Sequence, residues 1–229
     1  MKWKLKRVQC LTDSKLLAEA LAPEFRLPLF VVPIPHTDHR PTRIKKEHKE
    51  TLFWWPGGLI REDKGLRTIQ KLLQLMEGKE GMCIVMADAA REKFGNIPHL
   101  RLIPTHLSRE EYMAWMQKAD LILLPYSCDY AKRTSGIFVE AIMVGAIPAV
   151  TRGTWMAHEL SKFDLAELTF DWSEQNLLDR LTALPRDQNI LAKLKMMRLH
   201  YHNFHTPEIF AATCEEIARE PSLNENACS

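Results

Sequence analysis

The sequence predicts an α/β protein built on a doubly wound parallel sheet of about six strands. Two observations carry this reading. Short, nearly continuous apolar runs recur along the chain, and between most of them lie amphipathic segments with apolar residues three or four positions apart. Runs that are apolar at every position belong to strands covered on both faces, which is the condition of a parallel sheet flanked by helices.

In chain order the strand candidates are RVQCLT, LFVVPI, TLFWWPG, MCIVMA, LRLIPT, LILLPY, AIPAV and AELTF. The helix candidates are SKLLAEALA, GLRTIQKLLQLMEG, SREEYMAWMQKA, SGIFVEAIMVG and SEQNLLDRLTAL, four of them opening on a serine suited to an N-cap. Residues 36–50, HTDHRPTRIKKEHKE, collapse into charge and histidine, which is linker composition. The expected organisation is therefore a strand–helix–strand segment over 1–36, a polar linker over 37–50, a sheet domain over 51–219 and a frayed tail over 220–229. The first segment is too short to bury a core and must lean on another body.

With 46% hydrophobic and 26% charged residues in 229, the chain has an ordinary globular balance. A formal net charge of +2 gives no bulk attraction for nucleic acid, so any anion site must be local. Cys10, Cys83, Cys128, Cys214 and Cys228 show neither paired nor zinc-type spacing, which fits a reducing, cytoplasmic setting. The basic start MKWKLKR is not followed by an apolar run of spanning length, so membrane contact is expected to be peripheral at most.

Open parallel sheets bind ligands outside the carboxyl ends of their strands. After TLFWWP comes GGLIREDKG, where glycines permit close backbone approach and Arg61 and Lys64 offer cations, a combination suited to a diphosphate. A plain Gly-rich turn with solvated charges is the competing reading. After LILLPYS, the residues Thr134, Ser135, Gly136 and Ile137 stand at a helix start, whose unpaired amides favour a phosphate. Glu140 follows four residues after Gly136 within an apolar helix, where a carboxylate needs partners; a ribose diol could supply them, and so could a salt bridge. The PTHLS turn, with Leu107, could offer backbone groups and apolar surface to a base, or serve only as a connection.

On Gly58, Lys64 and Gly65, the ADLILLPYS strand, Ser135, Gly136 and EAIMVGAIPAV, residues 51–218 resemble the C-terminal donor-binding domain of GT-B-fold glycosyltransferases of the retaining, glycogen-synthase-like group. The resemblance implies a Rossmann-like domain forming the C-terminal half of that fold. It also implies a nucleotide-diphosphate sugar of UDP, GDP or ADP type as ligand, and no metal or other cofactor. Lys64 and Arg61 would take the catalytic role on the diphosphate. Gly58, Leu107, Thr134, Ser135, Gly136, Ile137 and Glu140 would bind the donor, with Glu140 on the ribose. Two positions depart from the family pattern: Leu59 stands where an arginine follows the glycine, and Lys132 where an earlier glutamate lies beside the transferred sugar. The N-terminal segment resembles only the end of the family's acceptor domain, so a separate acceptor-domain protein or self-association is expected. The alternative is a nucleotide-sugar binding module without turnover.

An isomerase of the same fold is less favoured. A nicotinamide dehydrogenase is least so, because no GxGxxG follows any strand. The clusters His36, His39, His48 and His200, His202, His205 match no common closed metal site, and surface or interdomain histidines are expected. Trp54 and Trp55 are expected in the core, whereas Trp155, after AIPAV, has a weak claim to donor contact.

Overall fold

The computed structural model describes residues 9–25, 28–36, 50–56, 61–95 and 97–219. It divides into two compact units, residues 1–38 with 202–229 and residues 39–201.

The first unit holds β1 (Cys10–Thr12), α1 (Lys15–Leu21) and β2 (Leu29–Val31), the two strands pairing in parallel. Ser14 caps α1 through its side chain. The expected boundaries placed everything up to 219 with the sheet domain, but the chain from His202 onward groups with this N-terminal segment instead. Long-range hydrogen bonds supply the reason. The Gln9 side chain donates to the carbonyl of Ile217 at 2.5 Å, and the His36 amide donates to the carbonyl of His205 at 3.2 Å. Local composition does not register such contacts.

The second unit is the six-stranded sheet. Its strands are β3 (Thr51–Trp54), β4 (Met82–Ala87), β5 (Leu100–Ile103), β6 (Leu121–Leu124), β7 (Ile147–Thr151) and β8 (Thr169–Phe170), all parallel, in the order β5-β4-β3-β6-β7-β8. The helices are α2 (Leu66–Met76), α3 (Arg91–Phe94), α4 (Arg109–Lys118), α5 (Gly136–Val144), α6 (Trp155–Ser161) and α7 (Leu177–Ala183). The division between units falls within α8 (Gln188–Phe204), and α9 (Pro207–Arg219) follows.

The strands form where every position is apolar, and LILL of β6 is wholly buried at the centre. Asp120 sets the entry to β6: its carboxylate accepts from the Leu52 amide and its own amide donates to the Leu52 carbonyl, each at 2.8 Å. α2 buries Leu66, Ile69, Leu72, Leu73 and Met76, which form one helical stripe. α4 starts at a capping box formed by Ser108 and Glu111. α5 buries six of its nine residues and stops at Gly145, whose φ of 77° is the left-handed C-cap. The run AELTF yields only a two-residue strand, because Ala166–Leu168 turn as a 3₁₀ helix first.

Numbered within this unit, the strand order is 3-2-1-4-5-6, so the order of the parallel strands, built outward first to one side and then to the other, reverses between β3 and β6. The crevice beyond the carboxyl ends of those two strands is where such a sheet offers a site. Among the described residues no helix is long and apolar enough to cross a membrane.

Candidate functional site at the strand reversal

Gly58 lies outside the described residues, as do Gly57, Leu59 and Ile60. From Arg61 onward the connection is ordered by a 3₁₀ turn, Glu62–Lys64, and by Gly65. Gly65 has φ of 92°, and a Cβ there would sit 2.2 Å from the carbonyl oxygen of Pro125, just past β6. Only glycine lets the β3–α2 turn approach the end of β6 so closely. The Ser127 amide then donates to the Asp63 carbonyl at 3.0 Å, and the Trp55 indole donates to the Lys64 carbonyl at 3.1 Å. The two loops at the reversal are thus fastened together.

Lys64 is brought against two aromatic rings. Its Nζ stands 3.8 Å from the centroid of Tyr126 and 4.4 Å from that of Tyr130. Burial, helped by repulsion from Arg61, holds this ammonium below the usual lysine range. Arg61 is already engaged: Nε donates to Asp63 Oδ1 at 2.9 Å, and Nη2 donates to Asp63 Oδ2 at 2.5 Å and to the Tyr130 hydroxyl at 2.7 Å. The hydrogen bond from Arg61 keeps the half-buried Asp63 carboxyl below its ordinary value.

The helix start lies beyond Tyr126, whose hydroxyl is hydrogen-bonded to the Ser135 side chain while burial pushes the phenol up to about 12. Ser135 is the N-cap of α5, its hydroxyl accepting from the Phe138 amide at 3.3 Å. Gly136 is exposed at the first helical position, with Thr134 and Ile137 half-buried on either side. Lys132 is exposed in the turn before them.

Glu140 has protein partners. Arg109 Nη1 stands 2.7 Å from its Oε1, and the Tyr112 hydroxyl bonds to the same carboxylate. Burial first, and the Glu140 charge second, raise Tyr112 far above the ordinary phenol range. Arg109 and Tyr112 also line a cleft of about 440 Å³ at the carboxyl ends of β3, β4 and β5, together with Trp54, Ala87, Ile103 and Leu107. At its rim Thr105 donates its amide to Asp88 Oδ1 at 3.0 Å and accepts from the Ala89 amide at 3.1 Å, fixing the loop after β4 to the loop after β5.

Of the candidates, Arg61 and Lys64 meet Tyr130 after β6, Ser135 and Gly136 open α5 between Thr134 and Ile137, Glu140 pairs with Arg109, and Leu107 lines the cleft. Sequence reasoning missed Tyr126, Tyr130, Arg109 and Tyr112. A detectable signal existed for Tyr126, an aromatic directly after a strand on the binding side. Trp155 differs from expectation: it is 5% exposed and packs edge-on to Phe138 with centroids 5.7 Å apart, so it belongs to the core. Trp54 is buried as expected, yet it also forms a wall of the cleft.

No protein-family model matches the chain, and no curated protein matches it in sequence. Its fold does match solved structures. A mutant of S. aureus TarM, in complex with fondaparinux, alpha-GlcNAc-glycerol and UDP, is similar with a TM-score of 0.70 and 9% identity over 93% of this chain and 44% of that one. Sucrose-phosphate synthase from Thermosynechococcus elongatus is similar with a TM-score of 0.61 and 14% identity over 91% and 57%. A mutant O-GlcNAc transferase of Thermobaculum terrenum is similar with a TM-score of 0.56 and 16% identity over 91% and 44%. The chain spans about half the length of these structures.

Proposed function

Because the chain has the fold of a GT-B glycosyltransferase half, we propose that it is a donor-binding domain that holds a nucleotide-diphosphate sugar for transfer to an acceptor. The observation that carries the proposal is Tyr126, which touches Lys64 with its ring and Ser135 with its hydroxyl, so that a cation and a helix N-terminus meet at the strand reversal. The diphosphate would lie there. Lys64 and Arg61 would carry the charge that grows on the departing diphosphate, an electrostatic contribution worth several kcal/mol when it is pre-organised, roughly 2.7–4 for one donor. The α5 amides would hold the distal phosphate. The base would enter the apolar cleft beside Leu107, and the ribose would face Glu140.

The acceptor side is proposed to come from another polypeptide or a second copy. Calorimetry against UDP, GDP and ADP and their sugar conjugates tests the site. Millimolar ligand without detectable heat or displacement would remove it. Transfer is expected only when an acceptor domain is added, and a defined glycan made by the purified chain alone would refute that dependence.

A second reading, a module that binds the nucleotide sugar without turnover, draws on the exposed Lys132 at the position where the family resemblance places a glutamate. Hydrolysis or transfer of a bound donor in the completed complex separates the two.

A further inference from the structure

Three cationic side chains from two different loops converge on one buried phenol. Tyr130 is 8% exposed in the 3₁₀ turn Cys128–Tyr130 after β6. Its hydroxyl accepts from Arg61 at 2.7 Å and donates weakly to Asp63 Oδ2 at 3.4 Å. Its ring lies 4.4 Å from Lys64 Nζ and 5.8 Å from the Arg133 guanidinium carbon, and packs on Tyr126 with centroids 4.7 Å apart. The turn is held by the Tyr130 amide, which donates to the Ser127 carbonyl at 3.0 Å, and the Ser127 amide in turn donates to the Asp63 carbonyl at 3.0 Å.

Two like charges kept side by side repel, and each gains freedom by swinging into water. A phenol opposes both tendencies at once. The negative face of the ring attracts the ammonium while excluding water from it, and the oxygen fixes one edge of the guanidinium fork. Resting on the donor-binding reading above, we infer that Tyr130 is a positioning residue that holds Arg61 and Lys64 ready for a diphosphate before the ligand arrives. It acts through those two cations and need not touch the ligand itself.

The experiment has two arms, both on the full chain. In the ligand-free protein, proton–carbon NMR of the lysine ε-methylene, assigned by difference with Lys64→Arg, should show Lys64 shifted upfield by the two rings. Tyr130→Leu should move that signal back toward the ordinary lysine position. In the second arm, inorganic pyrophosphate, UDP, GDP and ADP are titrated at a temperature where every variant is folded. Tyr130→Leu should weaken the best-binding diphosphate and pyrophosphate alike by roughly threefold to thirtyfold, the range of one cation–ring contact between exposed and desolvated. Tyr130→Phe keeps the buried ring and should preserve the Lys64 signal, with a smaller loss of affinity from the missing Arg61 bond.

Ordinary lysine shifts in the wild type would overturn the inference. So would equal diphosphate affinity in the wild type and Tyr130→Leu, which leaves the donor-binding reading standing. A wild type that binds none of the four probes overturns both.

Discussion

Arg109 donates from Nη1 to Oε1 of Glu140 at 2.7 Å, joining the first turn of α4 to the second turn of α5. The carboxylate proposed for a ribose thus has a protein partner on one oxygen, with Tyr112 close by, and keeps acceptor positions for a diol. Glu140→Gln should weaken nucleotide binding roughly tenfold to a hundredfold, since a hydrogen bond to a charged acceptor is worth about 1.5–3 kcal/mol. Ligands with ribose and with 2′-deoxyribose distinguish this from a structural effect. If removing the 2′-hydroxyl weakens the wild type and Glu140→Gln equally, Glu140 does not hold the ribose.

Arg109→Ala leaves that carboxylate in place and removes its ion-pair partner. The pair is partly solvated, Arg109 having a side-chain exposure of 38%, so the stability loss should be about 1 kcal/mol. Melting temperature should fall while discrimination between ribose and deoxyribose ligands persists. Loss of that discrimination would make Arg109 itself the ribose contact.

Gly65→Ala should be among the most damaging single changes in the sheet unit. It places a side chain at φ of 92° and drives a methyl to 2.2 Å from the Pro125 carbonyl, so either β6 or the Lys64 turn must move. The expected cost is about 3–5 kcal/mol, read by denaturant unfolding. A change under about 1 kcal/mol would mean that the two loops are not tightly apposed.

The lowered Lys64 pKa predicts the pH dependence of anion binding. Burial favours the neutral amine in the free protein, whereas a bound diphosphate favours the ammonium, so binding takes up a proton as pH approaches the depressed value. Affinity should therefore fall at a pH below the ordinary lysine range. Lys64→Arg, which keeps its charge, should shift that alkaline limb upward. An unchanged limb would assign the loss to another group.

Three of the four tyrosines, Tyr112, Tyr126 and Tyr201, are held above their usual pKa chiefly by burial. A phenol whose folded pKa exceeds its unfolded pKa contributes stability that is complete below about 10 and declines as pH rises through the folded value. For Tyr126 that window runs from 10.0 to about 12. Absorbance titration of the folded chain should show three phenols ionising late, and the melting temperature should drop across the same interval. Two or more of these three ionising at the ordinary value would contradict the burial described here.

The six-stranded parallel sheet was legible because its evidence is local. Strands such as LILL and MCIVMA are apolar at every position, and the stripe from Leu66 to Met76 repeats at helical spacing. The cations Arg61 and Lys64, the serine and glycine at the start of α5, and Glu140 could be nominated as candidates, since residue type and place relative to a strand end suffice for a proposal. The partners were not. Arg109 is 31 positions from Glu140 and Tyr130 is 69 from Arg61, and nothing in the spacing of either pair indicates contact.

The unit division was hidden for the same reason, because Gln9 and Ile217 lie 208 positions apart in the chain. The sequence by itself determined which segments are strands and helices and which loop residues carry charge or free amides, through periodicity and side-chain chemistry. The tertiary structure alone decided that Lys64 stands beneath two tyrosine rings and that Glu140 is paired with Arg109. The strand order β5-β4-β3-β6 brings the ends of β3 and β6 side by side, and the α4 start close to α5, and electrostatic contact falls off with distance in space rather than along the chain.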